Sequence, residues 1–358
     1  MKHVDTLIIG GGPAGINAAQ VLGSLGYTVL LVDEGDALGG QLLKQTHKFF
    51  GSKEHYAGAR GIDIPDKFNL SNVDIMLNTT VLGLYKDGMA TIVDHEGKYS
   101  KVQAKGIIVA TGAQEKFIPF EGNDLPGVYG AGAVQTLMNK EGVLPGKKVL
   151  MVGAGNIGII VSYQLLQAGV DVVAVLEGAP KIGGYLVHAS KIARAGVPIL
   201  TGHTILRAIG EEEVTGAQIA KLDENWKVIP GSERILDVDT ICLAVGLTPV
   251  NDLLWQRECD MTFVPEFGGL VPARNKYLET SIPNLFVAGD VCGVEEASSA
   301  MVEGKLAGLA LAKNLGNHCS KNIDMDFELE KTLKSLATLR SGEVGDKIRS
   351  GLLKLGVE

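Results

Sequence analysis

Cysteine is scarce in this chain and comes late. Of 358 residues four are cysteine, at positions 242, 259, 292 and 319, so none precedes Cys242 and no two lie close enough for a CxxC or a metal knuckle. An internal redox dithiol is thereby excluded, and each thiol is expected to be reduced and inert. No metal-ligand cluster and no catalytic triad emerges from the rest of the sequence. Long apolar runs are also missing. Stretches such as Thr6–Ile9 and Val172–Leu176 break at glycine or charge, far short of the roughly 20 residues a membrane span needs. An amino terminus running from Met1-Lys2-His3 directly into a strand-like segment shows no signal peptide, so a cytoplasmic protein is expected. Basic charge is in deficit, with 33 Lys and Arg against 41 Asp and Glu and a formal charge of −8. That balance argues against nucleic acid as a partner. A hydrophobic content of 46% argues against disorder, and the length suits two domains and a tail better than one core.

What is present is a glycine arrangement that occurs twice. The apolar run Thr6–Ile9 leads into Gly10-Gly11-Gly12-Pro13-Ala14-Gly15, a helix-compatible stretch from Ile16 to Leu25, and a strand Thr28–Val32 ending in Asp33-Glu34. This is the order a dinucleotide site requires. Gly10 permits the tight turn, Gly12 lets the backbone approach a diphosphate, Gly15 allows close helix–strand packing, and the helix amides face the phosphates. Asp33 stands where a carboxylate meets the adenosine ribose. The second copy runs from the strand Lys148–Val152 through Gly153-Ala154-Gly155-Asn156-Ile157-Gly158 and a helix Ile159–Gln167 to the strand Asp171–Leu176 and Glu177. One such glycine turn is a weak signal, since any glycine turn imitates it. Two in full context are a strong one.

Three further stretches complete a family pattern. They are Ile107 to Gly112 with its Ala110-Thr111-Gly112 turn, Ile241 to Pro249 containing Gly246, and Asn284 to Asp290 ending in Gly289-Asp290. With these, the chain resembles the flavoproteins with two dinucleotide-binding domains, the superfamily of thioredoxin reductase and glutathione reductase. The resemblance implies an α/β fold of two Rossmann-like domains. It implies an FAD domain in two pieces, residues 1–113 and 248–316, an NAD(P) domain inserted at 114–247, and a short helical tail at 317–358. It also implies that Gly10, Gly12, Pro13, Ala14, Gly15, Asp33, Glu34, Gly40, Gln41, Ala110, Thr111, Gly112, Gly289 and Asp290 contact FAD. Gly153, Gly155, Asn156, Ile157, Gly158, Glu177 and Gly246 would contact NAD(H). Thr46 and His47 fall where relatives pass the isoalloxazine ring. For Thr46 a flavin hydrogen bond is expected, whereas His47 reads equally well as a solvated loop residue. Glu177, with Gly178-Ala179-Pro180 after it and no nearby arginine, favours NAD over NADP, although Lys181 is a cation nearby.

Within that superfamily the chain lacks the dithiols of thioredoxin and glutathione reductases. Thr111 to Val128, Gly39-Gly40-Gln41 and Val294 to Met301 are similar to a narrower group: the alpha subunits of sarcosine oxidase and dye-linked proline dehydrogenase, the opine oxidases and a flavoprotein subunit of hydrogen cyanide synthase. The resemblance implies an electron-transfer subunit whose partners are a second flavoprotein dehydrogenase subunit or a separate iron–sulfur protein. Many members carry a C-terminal cysteine cluster, which this chain lacks. A self-sufficient amine, imino or hydroxy-acid dehydrogenase and a ferredoxin or flavodoxin reductase are the alternatives, and self-association is left open. The basic stretch Lys44 to Arg60 reads as a solvated loop or as an anion contact. In the tail, Leu329, Leu333, Leu336, Leu339, Ile348, Leu352 and Leu355 recur at helical spacing, with Glu328, Glu330, Lys331, Lys334 and Arg340 beside them. That pattern predicts an amphipathic element, packed on its own domain or docked on a partner.

Overall fold

The computed structural model describes residues 1–49, 56–316 and 323–357. Lys53 and His55 of the basic stretch, and Cys319, lie outside the described residues. The chain divides into two compact units, Met1–Gln114 with Thr248–Glu358, and Glu115–Leu247.

The first unit is built on a sheet whose centre is parallel. In spatial order the strands are Val73–Met76, Val29–Val32, Lys2–Ile9, Tyr99–Val109 and Leu285–Val287. On the edge away from Lys2–Ile9, the long strand Tyr99–Val109 serves two partners in turn. Its first half pairs antiparallel with Met89–Asp94, which continues to Thr79–Leu84, and its last three residues pair parallel with Leu285–Val287. Strands buried on both faces need apolar residues throughout, and Val29–Val32 is buried at every position.

Helix Pro13–Ser24 starts on Gly12, with Pro13 at the first position, where its missing N–H costs nothing. It buries Ala14, Ala18, Ala19 and Leu22. Helix Ala297–Leu315 crosses it at glycines. A Cβ on Gly304 would lie 1.9 Å from the Ala14 carbonyl oxygen, so the approach is backbone to backbone.

The second unit repeats the plan. Its parallel sheet runs Ile199–Thr201, Asp171–Glu177, Lys148–Val152, Thr240–Leu243 and Val128–Gly130. Alternation sends Met151 and Val175 to one face and Leu150 and Leu176 to the other, as a strand of period two requires. A three-stranded antiparallel sheet, His203–Ile209, Gly216–Lys221 and Arg234–Leu236, completes it. The α/β class, the Rossmann-like architecture and the C-terminal helices expected from the sequence are all present.

The tail forms helices Met325–Leu339 and Gly342–Leu355. Asp324 caps the first by accepting from Phe327 N at 3.1 Å. Leu329, Leu333, Leu336 and Leu339 join the core of the first unit, and Ile348, Leu352 and Leu355 pack on Val264, Phe267 and Val271. The apolar face is therefore spent inside this chain, which overturns the docking alternative for those residues. Arg340 also departs from expectation. Placed among the solvated flank by its charge, it is 8% exposed and paired inside the first unit. No helix among the described residues is long and apolar enough to cross a membrane.

Candidate functional site

The two glycine turns have the same stereochemistry. Gly10 has φ +101°, and a Cβ on it would lie 2.3 Å from the Ala110 carbonyl oxygen. Gly153 has φ +110°, with its Cβ position 2.3 Å from the Ala244 carbonyl oxygen. Both positions therefore exclude a side chain, by backbone conformation and by contact. Gly15 and Gly158 repeat the exclusion, their Cβ positions falling 1.8 and 2.0 Å from the carbonyl oxygens of Gly10 and Gly153. Gly12 and Gly155 differ from these. Both have φ −73°, which any residue adopts, and nothing lies within 4 Å of a Cβ on either. Nothing in the protein itself requires glycine there. The open space before the first helical turn, where backbone amides lack intrahelical partners, is what a diphosphate would fill.

The acids match as well. Asp33 accepts from Gly11 N through Oδ2 at 2.5 Å and from Gly35 N through Oδ1 at 2.7 Å. Glu177 accepts from Ala154 N through Oε2 and from Ala179 N through Oε1, both at 3.0 Å. Each carboxylate is thus fixed at the mouth of its glycine turn, close to the space beside Gly12 or Gly155. Asp33 takes this place, while Glu34 is exposed.

A glycine pair then crosses each turn. Gly39 N donates to Gly11 O at 2.8 Å, and a Cβ on Gly40 would lie 3.0 Å from Gly12 Cα. Gly184 N donates to Ala154 O at 3.0 Å, with its Cβ position 3.0 Å from Gly155 C. Asn156 Oδ1 accepts from Tyr185 N at 2.9 Å, and Ile157 is 40% exposed beside them. Sequence reasoning found the first pair and missed Gly183-Gly184. The signal was available, because both pairs begin six residues after their acid.

Around the first turn the other expected residues converge. Thr111 Oγ1 donates to Val250 O at 2.8 Å, and Gly112, with φ +73°, accepts from Val250 N at 3.0 Å. Gly289, φ +78°, brings its Cβ position to 3.1 Å from Ala14 Cβ, so the late loop lies on the first turn of helix Pro13–Ser24. Asp290 Oδ1 accepts from Glu295 N at 3.3 Å. Burial pushes its carboxyl up to about 7, and the charges of Glu303, Glu295 and Glu296 add to the effect. A hydroxyl-bearing chain would give that carboxyl a donor. In the second unit, Gly246 has φ +112° and accepts from Lys116 N at 2.9 Å.

Gln41 and Thr46 are exposed, and His47 lies with its ring 6.0 Å from that of Phe49 at 29°. The segment that carries them is pinned by Phe49 N to Ala59 O and Gly58 N to Phe49 O, both at 2.9 Å. In the basic stretch Arg60 is paired with Asp63 at 2.8 Å.

Sequence reasoning missed the buried charges behind Asp290. Glu303 Oε2 accepts from Gly289 N at 2.9 Å, and Arg340 donates to Glu303 Oε1 at 2.5 Å and to Glu295 Oε1 at 2.6 Å. Burial alone would lower the Arg340 pKa, but the charges of Glu303 and Glu295 outweigh it and hold it above its usual range. Burial raises the Glu295 carboxyl, with Glu303 adding to it. No local motif marks a lone arginine at a helix end as buried. Cys242, Cys259 and Cys292 are unpaired and buried, and burial pushes all three thiols up. None is poised as a thiolate. Among the described residues no cluster of three or more His, Cys, Asp or Glu could hold a metal.

A fold with two such turns, one in each unit, defines a protein that holds two dinucleotides. A family model described as pyridine nucleotide-disulphide oxidoreductase matches residues 4–304, and the chain belongs to that family. It is an FAD-dependent oxidoreductase with a pyridine nucleotide as its second dinucleotide. An opine oxidase subunit of Rhizobium meliloti (strain 1021) is 27% identical over 340 residues, covering 88% of this chain and 72% of that one. The sarcosine oxidase alpha chain from the same organism is 29% identical over 354 residues, which is 95% of this chain but 33% of that protein. The chain thus spans about a third of that relative. Among solved structures, L-proline dehydrogenase from P. horikoshii matches with TM-score 0.68 and 25% identity over 92% of this chain and 59% of that one. T. acidophilum thioredoxin reductase matches with TM-score 0.73 and 21% identity over 88% and 100%, a likeness of fold.

Proposed function

We propose that the chain passes hydride equivalents between NAD(H), held by the second unit, and FAD, held by the first, as the electron-transfer subunit of an amino-acid or hydroxy-acid dehydrogenase complex. The observation that carries the assignment of two dinucleotides is the matched geometry of Asp33 on Gly11 and Glu177 on Ala154, each beside an open glycine. In this reading the amides after Gly12 and Gly155 bind the diphosphates, Asp33 and Glu177 orient the adenosine riboses, and Asp290 holds the polyol chain of FAD. FAD supplies the redox chemistry when bound. The protein positions the two ring systems and keeps water from them. Glu177 supports NAD over NADP, because a carboxylate repels a 2′-phosphate.

The subunit role rests on what the sequence lacks and on its relatives. No dithiol or cysteine cluster provides a second redox centre, and the relatives include subunits of opine and sarcosine oxidases. Partners in this reading are a second flavoprotein subunit or an iron–sulfur protein. Anaerobic stopped-flow mixing with NADH is the test. Rapid bleaching of the flavin, together with no reduction by amino, imino or hydroxy acids, is the expected outcome. Catalytic reduction of the flavin by one of those acids without a second protein would replace this reading with a self-sufficient dehydrogenase.

A further inference from the structure

Trp226 occupies a position built for glycine. The turn at Asp223–Lys227 is closed by Asp223 N to Lys227 O at 2.8 Å and Trp226 N to Asp223 O at 3.1 Å, while Asp223 Oδ1 accepts from Asn225 N and Lys227 N, both at 2.9 Å. Its fourth residue, Trp226, has φ +61°, the left-handed conformation that such hairpins normally give to glycine. A bulky side chain there is strained. Burial does not repay the strain, because Trp226 is 64% exposed.

The ring nonetheless has a fixed place. A Cβ on Gly178 would lie 2.7 Å from Trp226 Cζ3, so the indole lies on the residue that follows Glu177. Backbone bonds hold the hairpin to that segment: Gly202 N donates to Ala179 O at 3.1 Å, and Leu222 N to Gly202 O at 2.7 Å. A strained, solvent-facing aromatic beside Glu177 points to a binding role rather than a packing one. An aromatic face next to a ribose site suits a purine.

We infer that Trp226 forms one wall of the adenosine end of the pyridine nucleotide site in the second unit, stacking on the adenine and closing the space beside Gly178. The inference rests on the second unit being the nucleotide unit, as proposed above. A side chain at Gly178 would have to displace the indole from this place.

The chain has two tryptophans, Trp226 and Trp255, so fluorescence can isolate one of them. In a Trp255→Phe variant, ADP-ribose is expected to quench the remaining emission saturably, whereas nicotinamide mononucleotide is not. Trp226→Gly is expected to raise the midpoint of thermal unfolding by about 2–4 °C through relief of strain. It should also weaken ADP-ribose binding by about 5- to 150-fold, the usual range for loss of a base–aromatic stack, while Trp226→Phe keeps most of the affinity. A purely structural tryptophan predicts the reverse, a lower midpoint with unchanged affinity, and that result would overturn the inference. If NADH reduces the flavin but ADP-ribose leaves Trp226 emission unchanged, this inference alone fails. If NADH neither binds nor reduces the flavin, the nucleotide assignment falls with it.

Discussion

Arg340 and Glu303, 37 residues apart in sequence, form a buried ion pair at 2.5 Å, and the other oxygen of Glu303 holds Gly289 N at 2.9 Å. The link between the last two helices is thereby coupled to the loop that presents Asp290. Arg340→Ala leaves Glu295 and Glu303 buried together with no cation bonded to them, Arg274 being the remaining charge nearby. Loss of about 3–5 kcal/mol in urea unfolding is expected, the range for breaking one side of a buried pair, with a fall in bound flavin. Arg340→Ala with unchanged stability would show that the carboxylates relax into solvent.

The glycines divide into those the fold needs and those a ligand needs. Gly12→Ala and Gly155→Ala place a methyl group in empty space at a permitted φ, so neither should lower the thermal midpoint. Gly12→Ala is expected to abolish flavin retention, read from the visible absorbance of the purified protein. Gly155→Ala should retain flavin and lose its reduction by NADH. Gly10→Ala, which strikes the Ala110 carbonyl, should instead fail to fold.

Asp290 gives a pH signature. Its carboxyl, at about 7 in the folded protein against an ordinary 3.8, binds a proton more tightly folded than unfolded. Its stabilising contribution is therefore present below about pH 4 and is lost as pH rises to 7, with a slope of about 1.4 kcal/mol per pH step of one between those limits. The apoprotein should lose stability from this group across that window. Asp290→Asn should flatten the profile there, measured by urea unfolding at stepped pH; an unchanged profile would mean that other groups cause it.

For the nucleotide choice, Glu177→Ala should cut kcat/KM for NADH about 10-fold or more and leave NADPH unchanged or improved. A wild-type protein that uses NADPH as well as NADH removes the role given to Glu177. Arginine at Gly178 would in addition have to displace the Trp226 ring.

The legible parts of the fold and site were those set by local constraints. Gly10, Gly15, Gly153 and Gly158 are read from spacing because a turn, a helix start and a close approach fall within a few residues of one another. The class of fold followed from that repetition. Glu303, Arg340 and Trp226 were invisible for a shared reason. Glu303 and Arg340 acquire their places from partners far away in sequence, and Trp226, strained by its own turn, lies against the distant Gly178, so none carried a local sign of its role. The tail was half legible: its periodicity gave the helices, but only packing showed that their apolar face is covered by this chain.

The sheet of the first unit closes only when Leu285–Val287 pairs with Ile107–Val109, whereas the second unit is continuous from Glu115 to Leu247. During synthesis the second unit is complete while its host is still open. At about 5–20 residues per second, the strand Lys2–Ile9 and its neighbours wait roughly 10–50 s for the rest of their sheet. The insert is thus free to fold on the ribosome ahead of its host, whose glycine turn emerges first but whose buried cation, Arg340, is made only after the whole insert. Truncation before Arg340 would therefore leave a folded insert in an unfinished host.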